Sequence, residues 1–405
     1  MTLLLSPTRR RFLAALGVAS AAALPGLSLP RFAQAAQNAH AAGKLLVLVE
    51  LAGGNDGLNT VVPTRDDKYR ALRPNIGIGR DATLTLDQDT GLHRSMREMA
   101  DLWEDGELRI VEGVGYPDPN RSHFRSIEIW NSGGGANGLN PDGWISQAAA
   151  KGAFAEFAGV DAHGLVLGGE MGPLKGPGRF SAMRDVDVYM EALSNLDGSR
   201  HAVRPTSTVE PLEHVLSTYE SAKVTGDRII AKLERIRRDN WSFPDSGLGI
   251  QLQIAARLIE AGIRVPVIKV VQDGYDTHEE QPDAHAYLLR DLSEALGAFS
   301  GALKDIGVWQ DTTIVTFSEF GRRAYENGSF GTDHGTAAPV FVAGGGVAGG
   351  FAGARPSLDR LFDRDLVFTT DYRALYDAIL SDLWGIDDNA FRRAGMTGLQ
   401  ILRSA

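Results

Sequence analysis

Residues Thr312–Gly346 read TTIVTFSEFGRRAYENGSFGTDHGTAAPVFVAGGG. The stretch opens on a β-branched run, Thr313-Ile314-Val315-Thr316-Phe317. It closes on a second apolar run, Pro339-Val340-Phe341-Val342-Ala343, ahead of three glycines. Both runs read as strands, and the polar segment between them as a loop. In open α/β sheets, ligands bind outside the carboxyl ends of strands. Glu319 at such an end, and Arg322, Asp333 and His334 on its loop, are therefore placed for chemistry, with a metal ion the first expectation. Gly331-Thr332-Asp333-His334-Gly335 also suits a plain turn carrying a solvated acid and histidine.

Three more strand ends repeat the pattern. Lys44–Leu51 is a nearly continuous apolar run, as expected of a strand covered on both faces in a parallel sheet. It leads into Ala52-Gly53-Gly54-Asn55-Asp56-Gly57-Leu58-Asn59, which puts Asp56 and Asn59 just past its end. Leu108–Gly113 is a second strand, and the proline-stiffened loop after it reaches Arg121-Ser122-His123-Phe124. Ser122 stands where a helix begins, either as an N-cap or as a nucleophile beside helix N–H groups that face an anion. A strand over Ile263–Val271 runs into Gly274-Tyr275-Asp276-Thr277-His278. Asp276 and His278 alternate there, so both can turn to one side and share an ion. The next helix carries the stripe Leu289, Leu292, Leu296, Phe299 and Leu303, which is scaffold. His285 near its start is expected to be exposed. The stretch 142–245 is less regular and reads as an inserted cap, with a charged helix pair over Pro211–Asn240. A capped helix follows Thr370-Asp371.

The chain has 405 residues, 43% of them hydrophobic and 23% charged, as in a folded water-soluble domain. It has no cysteine, so disulfides, thiolate nucleophiles and cysteine-based metal sites are excluded. Residues 1–35 carry Arg9-Arg10-Arg11-Phe12-Leu13, an Ala-rich apolar run and Ala33-Gln34-Ala35. This is the pattern of a twin-arginine signal, and the expected partner is the twin-arginine translocase. Residues 36–405 are then a single exported domain, periplasmic or secreted, with no segment long enough to span a membrane. Without the four leader arginines, 37 basic residues face 51 acidic ones, a charge of about −14 that argues against nucleic acid.

Four strand ends thus deliver Asp56 with Asn59, Ser122 with His123, Asp276 with His278, and Glu319 with His334. The mixture of oxygen and nitrogen donors suits a divalent metal, zinc or manganese, with calcium at an oxygen-rich position. Taken together, the motifs around Asp56, Ser122, Asp276, Glu319 and His334 resemble a bacterial family of twin-arginine-exported proteins of unknown function. More distantly they resemble the alkaline phosphatase and sulfatase superfamily. The resemblance implies an α/β fold with a mostly parallel central sheet, metals at the strand ends, and hydrolysis of phosphate or sulfate esters, small or polymeric. By motif order it implies Ser122 as nucleophile; Arg322, on the loop after Glu319, is expected to clamp the anion. Asp276, His278 and His334 would form the first metal position, and Asp56 with Glu319 a second. Asn59, His123 and Asp333 are expected to face substrate. The sequence departs from the superfamily at Phe320, which stands where a metal-binding histidine is usual, and in the spacing of Asp276 and His278. A non-catalytic binding protein with a degenerate metal site is the rival expectation.

Overall fold

Strand β1 (Leu45–Ala52) shows why an unbroken apolar run means a two-sided sheet. Side chains alternate across a strand, so each parity needs its own cover. In the computed structural model, Val47, Val49 and Leu51 enter one core, shared with the helices Arg97–Glu104, Gly247–Glu260 and Gln281–Ile306. Leu46 and Leu48 enter the opposite core, shared with the helices His123–Ser132, Trp144–Ala150 and Tyr372–Ala378. The structure describes residues 44–403, except 137, 139, 155–158 and 184–240. The leader and the helix pair expected over Pro211–Asn240 lie outside the described residues.

The sheet continues through β2 (Leu108–Gly115), β3 (Gly164–Val166), β4 (Phe180–Ala182), β5 (Val267–Asp273), β6 (Thr312–Phe317), β7 (Ala338–Ala343), β8 (Gly350–Ala352) and β9 (Thr370–Asp371). Its order is β8-β2-β7-β6-β1-β5-β3-β4, with β9 also paired to β2. Among the described strands of this sheet β7 alone is antiparallel to its neighbours; the other pairs are parallel. The fold is therefore α/β, with a large, mostly parallel central sheet flanked by helices. The carboxyl ends of β1, β2, β5 and β6 and the amino end of β7 share one edge, where the polar loops gather.

Two expectations need correction. The strand predicted from Ile263 begins only at Val267, because Pro266 has no N–H to give to a ladder. Within the stretch read as a cap, β3 and β4 are strands of the central sheet, so its first part extends the sheet. No helix among the described residues is long and apolar enough to cross a membrane.

Candidate metal centre

Loops from β2, β5 and β6 meet at this edge. His123 is the first residue of the helix His123–Ser132, Asp276 and His278 follow β5, and His334 lies on the loop from β6 to β7. One ligand atom from each of His123, Asp276 and His334 lies within 4.8 Å of the others. His278 touches the group, its Nε2 standing 2.9 Å from His334 Nε2 and 3.0 Å from Asp276 Oδ1. Glu319 reaches it through His123 Nδ1, at 2.8 Å from Oε1. Glycine makes the approach of these loops feasible at two places. Gly53 has φ 118°, and a Cβ there would lie 2.4 Å from the Asp276 nitrogen; a Cβ on Gly331 would lie 2.2 Å from the His278 carbonyl oxygen.

The outer partners of the imidazoles determine what faces inward. The Arg121 carbonyl can only accept, so His334 Nδ1, 2.8 Å away, donates to it. His123 Nδ1 likewise donates to the Glu319 carboxylate, which can only accept. In neutral rings both Nε2 atoms are then bare. His334 Nε2 stands 3.0 Å from Asp276 Oδ1, and His123 Nε2 3.5 Å from Asp276 Oδ2. Lone pairs facing one another at such distances require a proton or a cation between them. Outer acceptors that orient inner donors are the usual surroundings of a metal-binding histidine. The donor set of two imidazoles and a carboxylate fits a divalent ion of the zinc or manganese type. Burial pushes the Asp276 carboxyl up, but the hydrogen bond from Arg322, the contact with His334 and the nearby positive charge outweigh it and hold it down at about 2. The carboxylate is thus ionised and ready to ligate.

Several sequence-predicted residues turn elsewhere. Asp56 is fully buried and gives its oxygens to Arg73, at 2.6 and 2.9 Å, and to Gln281 Nε2. Asn59 is buried beside it, bonded to Tyr69, Arg73 and the Ile76 carbonyl. Neither is available to an ion or a substrate. Arg322 does not project as an anion clamp. Buried in the wall, it donates to the carbonyls of Gly53, Gly54, Tyr275 and Thr332 and to Asp276. Glu319 accepts from Gly53 N–H, Ser318 Oγ and His123, which makes it a support of His123. Asp333 is exposed, 3.4 Å from His278 Nδ1, and steadies that ring. Ser122 is exposed at the N-cap, and its hydroxyl bonds to no described residue. Phe320 is buried, its ring 4.9 Å from His123 and 4.6 Å from His334, and forms the floor of the centre.

Residues 230–391 match the family described as "Protein of unknown function (DUF1501)". No curated protein shows significant similarity to the chain. Among solved structures the chain is similar to a protein in the alkaline phosphatase superfamily from Vibrio parahaemolyticus, with TM-score 0.38 and 12% identity over 84% of this chain and 66% of that one. It is also similar to the PsFucS1 sulfatase from Pseudoalteromonas sp., with TM-score 0.38 and 10% identity over 90% and 74%. A third is the C-terminal periplasmic domain of EcEptC from Escherichia coli, with TM-score 0.37 and 8% identity over 85% and 82%.

The matched stretch contains Asp276, His278, Glu319 and His334 but not His123. His123, expected to face substrate, is the residue whose place in the metal-competent group sequence reasoning missed. Its nearest signal is its position as first residue of a helix after a strand end. Arg73 was missed altogether, since a lone arginine at the end of a short polar helix carries no motif. His285, expected to be exposed, is buried with its Nε2 on Asn55 Oδ1.

Proposed function

We propose that the chain is an exported, metal-dependent hydrolase of phosphate or sulfate esters, with one divalent ion held by His123, Asp276 and His334. The observation that supports this reading is the convergence of those three side chains, the two histidines tied from behind so that bare nitrogens face the carboxylate. A bound divalent ion would supply Lewis acidity toward the ester's oxygens. The protein's own groups do the rest. Ser122 offers an uncapped hydroxyl at a helix start, where first-turn N–H groups favour an anion. Its Oγ attacks phosphorus or sulfur, its proton passing to solvent, the bond to the leaving alcohol oxygen breaks, and water then cleaves the seryl ester to release phosphate or sulfate and restore Ser122. His278, steadied by Asp333 at the edge of the group, supplies a proton to the departing alcohol oxygen. Arg322 and Phe320 shape the site without touching the ester.

The rival is a binding protein of the same architecture that performs no hydrolysis. Phe320 at the floor and the inward-turned Arg322 favour it. Metal analysis of the purified protein, followed by assay on 4-nitrophenyl phosphate and 4-nitrophenyl sulfate with zinc, manganese or calcium, separates the two. The expected result is one tightly bound ion per chain and hydrolysis of at least one ester. In His334→Ala, ion and activity should both be lost. An ion at a hundred times its Kd stabilises the fold by about 2.7 kcal/mol, so the melting temperature of wild type should fall on chelation. A metal-free protein inert toward both esters under all three metals would leave the binding reading standing.

A further inference from the structure

Three phenylalanines on segments around the centre are exposed: Phe124 at 85%, Phe362 at 79% and Phe330 at 56%. Each stands one residue from a group that belongs to the site or is bonded to its segments. Phe124 follows His123, a member of the cluster, in the first turn of the helix. Phe330 precedes Gly331, which lies against the His278 carbonyl, in a loop tied to His278 by Asn327 Nδ2. Phe362 precedes Asp363, which binds Arg121, whose carbonyl holds His334. Phe330 also has φ 57°, a left-handed backbone that suits glycine and is an outlier for a bulky ring. Neither core packing nor backbone conformation accounts for a phenylalanine there. Among the described residues four other non-glycine residues share that backbone region: Asp118, Glu280, Asp363 and Arg364. Glu280 is bonded to the Phe330 loop, and Asp363 to Arg121. At Phe330, Glu280 and Asp363 the strain lies in segments bonded to those of the site, as at places that grip a ligand.

Resting on the hydrolase reading, we propose that Phe124 and Phe330, with Phe362 beside them, form an aromatic grip for the alcohol portion of the substrate. The substrate class is then an ester of a ring-bearing, partly apolar alcohol. The anionic head goes to the histidine centre, and whatever follows the head outward meets these rings. Aromatic faces gain by stacking on rings and by excluding water from apolar carbon.

The test uses two stable anions with the same head, methanesulfonate and 2-naphthalenesulfonate, titrated calorimetrically against the full metal-loaded protein. Naphthalenesulfonate is expected to bind at least about tenfold more tightly, a difference of about 1.4 kcal/mol. That preference should fall to near unity in Phe124→Ala/Phe330→Ala with metal content unchanged. Phe330→Gly is a second variant that cannot fail through misfolding strain, since glycine suits the left-handed backbone; it should melt no lower than wild type while weakening the preference. Equal affinity for the two anions in wild type, or a preference that survives the double variant, overturns the proposal. Ring preference in a protein that hydrolyses no ester would sink the hydrolase reading alone. Hydrolysis without ring preference would sink the grip alone.

Discussion

Glu319 shows how one side chain can organise a centre without entering it. Its Oε1 accepts from Gly53 N–H at 2.9 Å and from His123 Nδ1 at 2.8 Å, and its Oε2 from Ser318 Oγ at 3.2 Å. The end of β1, the residue after β6 and the start of the helix after β2 are thereby joined at one carboxylate. Glutamine keeps the shape but presents an N–H₂ group to one of these donors, so His123 loses its orientation or its tautomer. Glu319→Gln is expected to weaken metal affinity by about 10- to 100-fold, the usual effect of removing an outer partner of a ligand histidine. Equilibrium dialysis against zinc would measure it. Unchanged affinity would mean that His123 does not ligate.

At the scale of elements, the turn after β1 is held by the buried pair of Asp56 and Arg73, whose side chains are both 0% exposed. Arg73 also binds the carbonyls of Ala324 and Arg323, and Gln281 links Asp56 to Thr277 and Thr332. This network ties the β1 turn, the segment after β5 and the loop carrying His334 into one support beneath the centre. Removing one partner of such a pair strands a buried charge and costs about 3–5 kcal/mol. Arg73→Met should lose about that much in urea unfolding. Asp56→Asn should lower stability too, but leave one ion per chain. A fall in metal stoichiometry for Asp56→Asn, with stability unchanged, would restore Asp56 as a ligand. The strand-end position of Asp56 was legible in the sequence; its partner was not, because Arg73 lies 17 residues on in a segment without a motif and Gln281 lies 225 residues away.

For the whole molecule, buried ionisable groups set the response to acid. Burial holds His285 down at about 4, with the Asp56 charge opposing and the nearby cations adding. Burial and the charge of Arg94 hold His93 down at about 4 as well. A histidine depressed in the folded state is neutral there while its unfolded counterpart binds a proton. The stability it contributes is complete above the unfolded value of about 6.5 and is lost as pH falls toward 4. Asp56 and Asp276 are also depressed in the fold, and their contributions are lost further down, as pH falls below the ordinary aspartate value of about 3.9. All four effects therefore act in one direction. Each pKa unit is worth about 1.4 kcal/mol, so His285 alone accounts for a few kcal/mol by pH 4. The melting temperature should be flat from pH 8 to 7 and fall steadily from 6.5 to 4, with the slope reduced in His285→Gln. A flat profile through that window would mean that neither histidine is buried neutral.

What the sequence by itself determined is the part of this protein governed by local periodicity. The unbroken apolar run of β1 and the runs of β2 and β6 made a parallel sheet covered on both faces, and their carboxyl ends marked where polar residues would gather. The stripe from Leu289 to Leu303 likewise made a core-facing helix, each of its five residues at most 1% exposed. Only the tertiary structure decided which of the gathered residues look at one another. His123 and Asp56 each follow a strand end. One helix start turns His123 toward Asp276 and Glu319, while the other loop turns Asp56 back into the interior, onto Arg73 and Gln281. A polar side chain pairs with whatever partner the packing of distant segments brings within hydrogen-bond reach, and a one-dimensional pattern carries no record of that distance.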